Sequence, residues 1–229
     1  MSKKIPYHLA IIMDGNRRWA RKKGMPTFFG HKKGYDKLCK IGDICLKKGI
    51  KILTVYAFST ENWKRSKEEV NYLMNLLRES IKKHSLELHK KNIKINFLGR
   101  LEKLPKDLQE SITKAVELTK KNKKGILNIA LNYGGHSEIV DAVKKIIKDK
   151  IPLEKINESL FEKYLYTADL PPVDLLIRTG GEQRLSNFLP WQLSYAELYF
   201  TKKYWPDFNE SDLDKAILEY SRRERRMGK

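Results

Sequence analysis

Cysteine is scarce in this sequence, and the thiols present are not spaced for metal or redox chemistry. The 229-residue chain contains only Cys39 and Cys45, which lie six positions apart in one predicted helix. Zinc sites and redox pairs usually bring two cysteines together in a C-x-x-C motif. We therefore expect both thiols to be reduced, with Cys45 on the apolar, inward face of the helix.

Long apolar runs and the common nucleotide-binding motifs are also missing. No hydrophobic stretch reaches the ~20 residues that a membrane-spanning helix needs. The N-terminal segment MSKKIPYHLAIIMDG has a short apolar stretch without the small-residue cleavage site of a signal peptide, and we expect a cytoplasmic protein. Neither GxxxxGK(S/T) nor GxGxxG occurs, which argues against ATP and dinucleotide ligands.

Acidic residues are few relative to basic ones. The sequence has 28 Asp and Glu against 47 Lys and Arg, a formal net charge of +19. Such a surplus attracts nucleic acid, anionic lipid or phosphorylated substrates. A general lysine bias explains many of the lysines equally well, whereas the arginines are fewer and clustered. Two classes stay open at this point: an enzyme that handles phosphates, and a basic module that binds nucleic acid or anionic membrane without catalysis.

Short apolar runs alternate with helical patterns along the chain. The runs are residues 7–13, 51–58, 93–99, 126–133, 173–179 and 197–200. Apolar side chains with helical spacing form four stripes between them: Leu38, Ile41 and Cys45; Val70, Leu73, Met74, Leu77 and Ile81; Leu108, Ile112, Ala115 and Thr119; and Ile139, Val143, Ile146 and Ile147. This alternation predicts one α/β domain over residues 1–229, with a parallel sheet covered by helices on both faces.

Polar clusters follow several predicted strands, and the first contains a carboxylate and two arginines. Its members are, in order, Asp14, Gly15, Asn16, Arg17, Arg18 and Trp19. In open parallel sheets ligands bind beyond the carboxyl ends of the strands, so the clusters are expected to share one rim. A helix that begins near Asn16 would point N–H groups at a phosphate, and a lone carboxylate suits Mg²⁺ held with substrate oxygens. The alternative is a turn in which Asp14 caps the helix.

Further clusters follow the second and fifth strands. The segment after the second strand offers Ser59, Thr60, Glu61, Asn62, Trp63 and Arg65. In IRTGGEQRLSNF, Arg178, Arg184 and Ser186 surround a double glycine, and two guanidinium groups with a hydroxyl suit a diphosphate. Surface ion pairing is the alternative interpretation. Glu197 begins the last strand among apolar residues, where a carboxylate needs a partner or a metal.

The helix predicted at residues 67–90 has two interpretations. Ser66 and Glu69 have the spacing of a capping box and are interpreted as structural. The apolar side chains of the helix favour core packing, although beside a diphosphate site they would line a channel for a hydrocarbon chain. His31, in FGHKKG, is either a packed histidine or a phosphate-facing group.

Several long motifs together resemble the cis-prenyltransferase family. They are HLAIIMDGNRRWA, GHKKG, YAFSTENWKR, EVNYLM, LNIALNYGG, VDLLIRTGGEQRLSNFLPWQLSYAELYF, WPDF and the closing RRERRMG, in that order over nearly the whole chain. The resemblance implies a homodimeric α/β fold with a six-stranded, mostly parallel sheet flanked by helices. It implies Mg²⁺-dependent cis condensation of isopentenyl diphosphate, repeated on an allylic starter that is normally farnesyl diphosphate. The product would be a long polyprenyl diphosphate such as undecaprenyl diphosphate, used in cell-wall or other glycan synthesis. A peripheral membrane contact is compatible with this product, and nucleic acid is not an expected partner.

The same resemblance assigns roles to individual residues. Asp14 and Asn62 are the expected catalytic residues, and Asp14 and Glu197 the expected metal contacts. The allylic diphosphate would be held by Gly15, Asn16, Arg17 and Arg18, with Trp19 and His31 nearby. The substrate-contacting loop would comprise Ser59, Thr60, Glu61, Trp63 and Arg65, and the isopentenyl diphosphate site Arg178, Arg184, Leu185 and Ser186. Because a neutral amide is a very weak base, we expect Asn62 to orient the diphosphate or a water rather than to accept the proton itself.

Three positions depart from the commonest family pattern. Thr27 stands where many members have an arginine that contacts diphosphate, a role that Lys22 or Lys23 could supply. Gln183 stands where some members place a histidine near the metal, and Ser66 replaces a common proline. The basic tail SRRERRMGK is expected to form an exposed arm or a helix end.

Overall fold

A six-stranded parallel sheet forms the centre of the protein. The structure is a computed structural model that describes residues 4–223. Its strands are β1 (His8–Ile12), β2 (Ile52–Ser59), β3 (Ile93–Leu98), β4 (Gly125–Tyr133), β5 (Leu175–Arg178) and β6 (Glu197–Phe200). They lie in the order β3-β4-β2-β1-β5-β6, and every neighbouring pair is parallel. The predicted fold class is confirmed, and each strand ends close to its predicted position.

Helices pack on both faces of this sheet. They are α1 (Asn16–Lys22), α2 (Thr27–Lys47), α3 (Lys67–Lys90), α4 (Lys106–Thr119), α5 (Gly135–Lys148), α6 (Glu158–Glu162) and α7 (Glu210–Arg222). Between residues 4 and 223, none of them has the length and hydropathy that crossing a bilayer would require. Residues 224–229, which hold most of the predicted basic arm, lie outside the described residues.

Alternate residues of the central strand β1 face two different cores. Leu9 and Ile11 pack toward α2 and α7, and both are fully buried. Ala10 and Ile12 pack in a separate cluster on the opposite face. A third cluster joins α3 and α4 to the β3–β4 side of the sheet. Burial of consecutive strand residues is what a sheet covered on both faces requires.

The predicted apolar stripe of α5 is wrong for two of its four residues and Ile139 is only partly buried, whereas the stripes of α2, α3 and α4 contribute to the core. Ile146 is buried as expected, but Val143 is 44% and Ile147 70% exposed. The inward face instead carries Glu138 and Ala142. The interior accepts Glu138 because its carboxylate receives hydrogen bonds from two side chains and from the Tyr166 N–H. A buried carboxylate with enough donors thus sets the rotation of the helix.

A buried polar chain crosses the centre of the sheet. The His8 Nδ1–H donates to the carbonyl of Pro171 at 2.8 Å, so its Nε2 accepts from the Thr54 hydroxyl at 2.7 Å. The Thr54 oxygen in turn accepts from Nδ2 of Asn128 at 2.9 Å. Burial lowers the pKa of His8, although the carbonyl of Pro171 and the charge of Asp174 act to raise it. The lowered pKa and this pattern together indicate a neutral imidazole in the folded protein.

Candidate active site

The Asp14 carboxylate lies just beyond the end of β1, between two arginines. Its Oδ1 accepts a hydrogen bond from the Gly15 N–H at 2.6 Å and lies 3.2 Å from Nη2 of Arg18. Its Oδ2 accepts from Nη2 of Arg178 at 3.1 Å. The strand register explains this meeting, because Ile12 pairs with Arg178 across β1 and β5. The structure therefore brings together the first and the fifth strand-end clusters, as a shared rim predicts.

Arg178 is almost fully buried beneath the loop that follows β5. Its side chain is 5% exposed, and Nη1 donates to the Ser186 hydroxyl at 2.7 Å and to the carbonyl of Arg184. Gly180 allows this loop to pass so close to the site, since its φ is 88°. The double glycine of the sequence thus folds the loop back over the strand end.

Glu182 connects two arginines at the edge of the site. One of its oxygens lies 3.2 Å from Nη1 of Arg18, and the other lies 2.7 Å from Nη1 of Arg184. The Arg184 side chain is 62% exposed, so its guanidinium is accessible to a ligand. Arg178 is therefore fixed in place, whereas Arg184 is exposed, pairs with Glu182 and does not line the cavities described below.

The Glu69 carboxylate contacts three basic side chains on the α2–α3 side of the site. The His31 Nε2–H donates to Oε1 of Glu69 at 3.0 Å, and Nη1 of Arg65 donates to the same oxygen at 2.9 Å. Nε of Arg17 lies 3.7 Å from Oε2. Ser66 does accept a hydrogen bond from the Glu69 N–H, but the Glu69 side chain does not complete a capping box. The structural interpretation of Glu69 was therefore incomplete, and the signal that could have revealed its role is Arg65 four residues earlier.

Burial and charge set the ionisation of this group. Burial lowers the pKa of His31 and outweighs the hydrogen bond to Glu69. Burial would raise the pKa of Glu69, but the hydrogen bond from His31 and the charges of Arg65 and Arg17 leave it below its ordinary value. The arrangement is thus an ionised carboxylate that holds a neutral imidazole and two guanidinium groups.

The loop after β2 faces the same site. Ser59 is the N-terminal cap of the 3₁₀ turn at residues 60–64, and its N–H donates to Oδ1 of Asn62 at 3.2 Å. The Glu61 carboxylate accepts from Nδ2 of Asn187 at 3.1 Å, which ties this loop to the loop after β5. The side-chain oxygen of Asn62 is therefore already engaged in a hydrogen bond that stabilises its own turn.

These side chains enclose what we call the polar recess. It consists of adjoining cavities of about 360 and 580 Å³, and Asp14, Asn16, His31 and Arg65 line both. The other predicted residues on its walls are Gly15, Arg17, Arg18, Ser59, Glu61, Asn62, Arg178 and Ser186. Asn16 Oδ1, Arg17 Nε and Arg178 Nε are buried atoms without a hydrogen-bond partner. Orphaned polar atoms in one recess are expected where a polar ligand completes the site.

Some predicted residues lie beside the recess rather than on its walls. Trp19 is 7% exposed, and its Nε1–H donates to Asp207 at 2.8 Å, so it anchors α1. The Trp63 Nε1–H donates to Asn132 at 2.8 Å. Thr60 is in the turn after β2, and Leu185 packs on the core cluster that contains Ile12. Of the departures from the family pattern, Thr27 begins α2 and Gln183 is exposed.

Glu197 is at the opposite end of its strand from the recess. In the β5–β6 register it pairs with Leu175, three residues and about 10 Å before Arg178. Its Oε2 accepts from Nη1 of Arg223 at 2.7 Å. The expectation that Glu197 shares the rim with Asp14 is wrong within one chain, because Glu197 starts a strand whereas the site gathers strand ends.

An apolar cavity of about 230 Å³ leads away from the polar recess between α2 and α3. Asn16 and His31 line both spaces. Its walls include Leu38 of α2 and Leu73 and Leu77 of α3, and it reaches the amino ends of β3 and β4. The apolar face of α3 therefore serves both expected purposes, since Val70, Met74 and Ile81 are buried in the core beside this cavity.

The donor set of the recess fits Mg²⁺ only together with a ligand. Within residues 4–223, no group of three or more His, Cys, Asp and Glu side chains is arranged to hold a metal. Asp14 is a single, 29% exposed carboxylate beside arginines that attract phosphate oxygens. Mg²⁺ commonly binds through one or two carboxylates, several waters and substrate phosphates. Asp14 is thus suited to a metal that arrives with a diphosphate.

Comparison with known proteins identifies the family. The prenyltransferase family model for undecaprenyl diphosphate synthase matches residues 12–228. The chain is 49% identical to an isoprenyl transferase of Clostridium perfringens, over 98% of this chain and 90% of the relative. It is 50% identical to the geranylgeranyl-diphosphate-specific tritrans,polycis-undecaprenyl-diphosphate synthase of Pyrococcus furiosus, over 98% and 88% of the two chains.

A solved structure has the same fold. The crystal structure of lavandulyl diphosphate synthase from Lavandula x intermedia, in complex with dimethylallyl diphosphate, superposes with a TM-score of 0.94 at 39% identity. The match covers 98% of this chain and 99% of that structure. With the full-length family match, this establishes that the chain belongs to the undecaprenyl diphosphate synthase family of prenyltransferases.

Proposed function

We propose that this prenyltransferase condenses isopentenyl diphosphate repeatedly, in cis, onto an allylic diphosphate in a Mg²⁺-dependent reaction. Farnesyl diphosphate is the expected starter, and a long polyprenyl diphosphate such as undecaprenyl diphosphate the expected product. One observation carries the proposal: an arginine-lined recess containing Asp14 shares the walls Asn16 and His31 with an apolar cavity. A site that joins these two environments suits a molecule with a diphosphate head and a hydrocarbon tail.

The first chemical requirement is to stabilise the departing diphosphate. When the C1–O bond of the allylic substrate breaks, its electron pair leaves with the diphosphate, and negative charge grows on those oxygens. Arg17 and Arg18 face the recess and would hold them, while Asp14 would supply the protein ligand to Mg²⁺. The ion would act as a Lewis acid on the same oxygens. Preorganised charges of this kind lower the barrier because they need little rearrangement during the reaction.

The second requirement is to place the alkene of isopentenyl diphosphate against C1. Arg178, Arg184 and Ser186 would hold its diphosphate, the first from a fixed position and the second through an exposed guanidinium. The alkene electrons of isopentenyl diphosphate form the new bond to C1 of the allylic substrate. A proton then leaves C2 of isopentenyl diphosphate, and the electrons of that C–H bond form the new double bond. Asn62 lies on the wall of the recess but has no basic group, so it would orient a diphosphate oxygen or a water that takes the proton.

The starter is the less constrained part of the proposal. The Pyrococcus furiosus relative is named for geranylgeranyl diphosphate, and the lavender enzyme was solved with dimethylallyl diphosphate. Both are allylic diphosphates, but their tails differ in length. The two substrates share the diphosphate head group and the reactive C1, and in this protein the apolar cavity would select the tail.

A homodimer is part of the proposal. Val143 and Ile147 leave an apolar face of α5 exposed, and neighbouring Val140 is 47% exposed. Exposed apolar patches commonly mark interaction sites. Because Glu197 does not reach Asp14 in its own chain, its proposed metal contact requires a second chain. An Ile147→Glu variant that stays dimeric in light scattering would contradict this choice of interface.

The test of the reaction is incubation with labelled isopentenyl diphosphate, farnesyl diphosphate and Mg²⁺, followed by chain-length analysis. We expect long products, and loss of product on chelation with full recovery when Mg²⁺ is restored. The non-catalytic alternative, a module that binds nucleic acid or anionic membrane, has no support among the related proteins. It predicts no product in any of these incubations together with strongly salt-dependent nucleic-acid binding.

A further inference from the structure

The turn between α1 and α2 exposes large apolar side chains beside a row of lysines. Met25, Phe28 and Phe29 are 43%, 43% and 46% exposed. Phe28 stacks on Phe29 with ring centroids 4.9 Å apart and contacts Tyr72 of α3 at 5.6 Å. Exposed aromatic rings that pack on one another form a continuous surface rather than scattered single residues. We call Met25, Phe28 and Phe29, with the exposed lysines 22, 23, 32 and 33, the basic aromatic patch.

The charge of this segment has one sign. Between Asp14 and Asp36 the sequence contains seven Lys and Arg residues and no acidic residue. On α2, lysines 32 and 33 lie one helical turn after Phe28 and Phe29, so they share a helix face with these rings, and lysines 22 and 23 lie at the end of α1, just before the turn that holds Met25. Apolar side chains bordered by lysines are the pattern of a surface that lies in the headgroup region of an anionic membrane.

The patch is continuous with the lipid-binding part of the proposed site. On the same first turns of α2, Gly30, His31 and Gly34 are buried, and His31 lines both the polar recess and the apolar cavity. Phe28 and Phe29 therefore lie on the outer side of the helix wall whose inner side borders the cavity. Through Tyr72 the patch extends to α3, the other wall of that cavity.

We propose that the basic aromatic patch docks the enzyme on the headgroup region of an anionic lipid bilayer, on the outer side of the α2 wall of the apolar cavity. This inference rests on the proposed function for its biological sense, because a long polyprenyl product must pass from the cavity to lipid. Docking would insert the Phe28 and Phe29 rings below the phosphates and leave the lysines among them. The product would then leave the cavity at the membrane surface.

The other exposed apolar face, on α5, does not compete for this role. Through Glu138, α5 binds Tyr133 and Tyr166, which belong to the cluster on the opposite face of the sheet from α2. The α5 face can therefore pair with a second chain while the basic aromatic patch contacts lipid. A dimer that covers α5 leaves the turn between α1 and α2 accessible.

Sedimentation with vesicles tests the patch independently of catalysis. The full chain is mixed with vesicles of pure phosphatidylcholine, or of phosphatidylcholine with one-third phosphatidylglycerol. We expect binding to the anionic vesicles that weakens with added salt. The double variant Phe28→Ser/Phe29→Ser should bind roughly tenfold or more weakly, because each ring loses its apolar burial. The double variant Lys32→Gln/Lys33→Gln should lose about fivefold per lysine, on anionic vesicles only.

Matched control variants distinguish binding by this surface from non-specific binding through any exposed apolar side chain or any surface charge. Leu86→Ser/Leu153→Ser removes two apolar side chains that are 54% and 84% exposed elsewhere. Lys120→Gln/Lys121→Gln removes two exposed charges beyond the end of α4. Both controls should bind vesicles like the unaltered protein. Equal losses in the controls and the patch variants would overturn the proposal, and so would unaltered protein that binds single-stranded RNA but no vesicles.

The first condensation, assayed in detergent without vesicles, distinguishes the two proposals. The patch variants should keep this activity within about twofold, since none of the four substituted residues lies on a wall of the polar recess. Patch-dependent vesicle binding by a protein without prenyl transfer would refute the proposed reaction and leave the docking surface standing. Prenyl transfer together with vesicle binding that is the same in the patch variants and the unaltered protein would refute the docking surface and leave the proposed reaction standing.

Discussion

Asp14 and Arg178 are 164 positions apart in sequence, yet the guanidinium Nη2 donates to the carboxylate Oδ2 at 3.1 Å. Their strands are neighbours in the sheet, and each residue stands at or just beyond the end of its strand. The contact fixes an acidic and a basic group at the centre of the polar recess. A bound Mg²⁺ would therefore compete with Arg178 for the Asp14 carboxylate. A bound diphosphate would compete with Asp14 for the Arg178 guanidinium.

Replacement of Asp14 by asparagine should reduce turnover by roughly 10²–10³-fold while the protein remains folded. The amide keeps the shape of the side chain but removes the charge that would hold Mg²⁺. Arg178 keeps two other acceptors, Ser186 and the carbonyl of Arg184, so the buried guanidinium is not abandoned. Steady-state incorporation of isopentenyl diphosphate and a thermal melt measure the two effects. Asp36→Asn, an exposed carboxylate paired with a lysine, is the control, and equal activity of the two variants would refute the role of Asp14.

The double glycine provides a matched pair of variants. Gly180 and Gly181 have φ values of 88° and 87°, so alanine at either position should carry a similar backbone strain of ~1–2 kcal/mol, to which the contacts of a Cβ at Gly180 add. A Cβ at Gly180 would lie 2.7 Å from Nη2 of Arg18 and 3.2 Å from Cγ of Asp14, whereas one at Gly181 meets only Lys202 at 3.8 Å. Activity should therefore fall at least about tenfold in Gly180→Ala and little in Gly181→Ala. Equal activity losses at matched stability would show that the loop conformation, not the position of Asp14, is what matters.

The sequence predicted the sheet and much of the recess for the same physical reason. In a parallel sheet the carboxyl ends of neighbouring strands meet, so polar clusters after β1, β2 and β5 had to converge once the strands were recognised. The same logic failed for Glu197, because a residue that starts a strand lies at the other end of the sheet. Residues that follow the carboxyl ends of the strands can therefore be predicted to share a site, whereas residues at the amino ends cannot.

Contacts between distant residues were not predictable. Trp19 turns away from the recess because Asp207, 188 positions later, accepts its Nε1–H. Glu138 is buried on α5, whereas the predicted Val143 and Ile147 are exposed, because donors from three other segments satisfy its carboxylate. A pattern of apolar residues does not reveal such partners. In the sequence, a polar residue that is buried with satisfied hydrogen bonds cannot be distinguished from an exposed polar residue.

Filling the apolar cavity should shorten the products. Leu77 lines the cavity and packs against the α3–α4 cluster, so Leu77→Trp places a larger side chain in the path of the growing chain. We expect a product distribution with fewer isoprene units and a stability loss of about 1–3 kcal/mol from overpacking. Leu86→Trp, on the same helix but 54% exposed, is the control and should give products of normal length. Unchanged products from Leu77→Trp in a folded protein would mean that the chain takes another route.

Folding stability should fall as the pH drops below about 6.5, in part because of buried histidines. Burial lowers the pKa of both His8 and His31 in the folded protein. The unfolded chain therefore binds more protons in this range, so the stability contributed by each neutral imidazole is complete above the unfolded pKa and is lost as the pH falls. The slope is at most ~1.4 kcal/mol per pH unit for each histidine. The lowered pKa of Glu69 has the same sign but acts at lower pH, below the ordinary glutamate range.

His8→Gln isolates the part of this slope that comes from the interior, because His8 lies in the buried chain with Thr54 rather than in the recess. Glutamine offers an amide donor and acceptor but binds no proton near neutrality. Urea midpoints measured between about pH 8 and pH 5 should fall less steeply for His8→Gln than for the unaltered protein. His136→Gln removes an exposed imidazole at the start of α5 and is the control, because an equal change of slope there would be a general effect of losing a histidine. An equal slope in the unaltered protein and His8→Gln would mean that the imidazole is protonated in the folded state, against the hydrogen bond it accepts from Thr54.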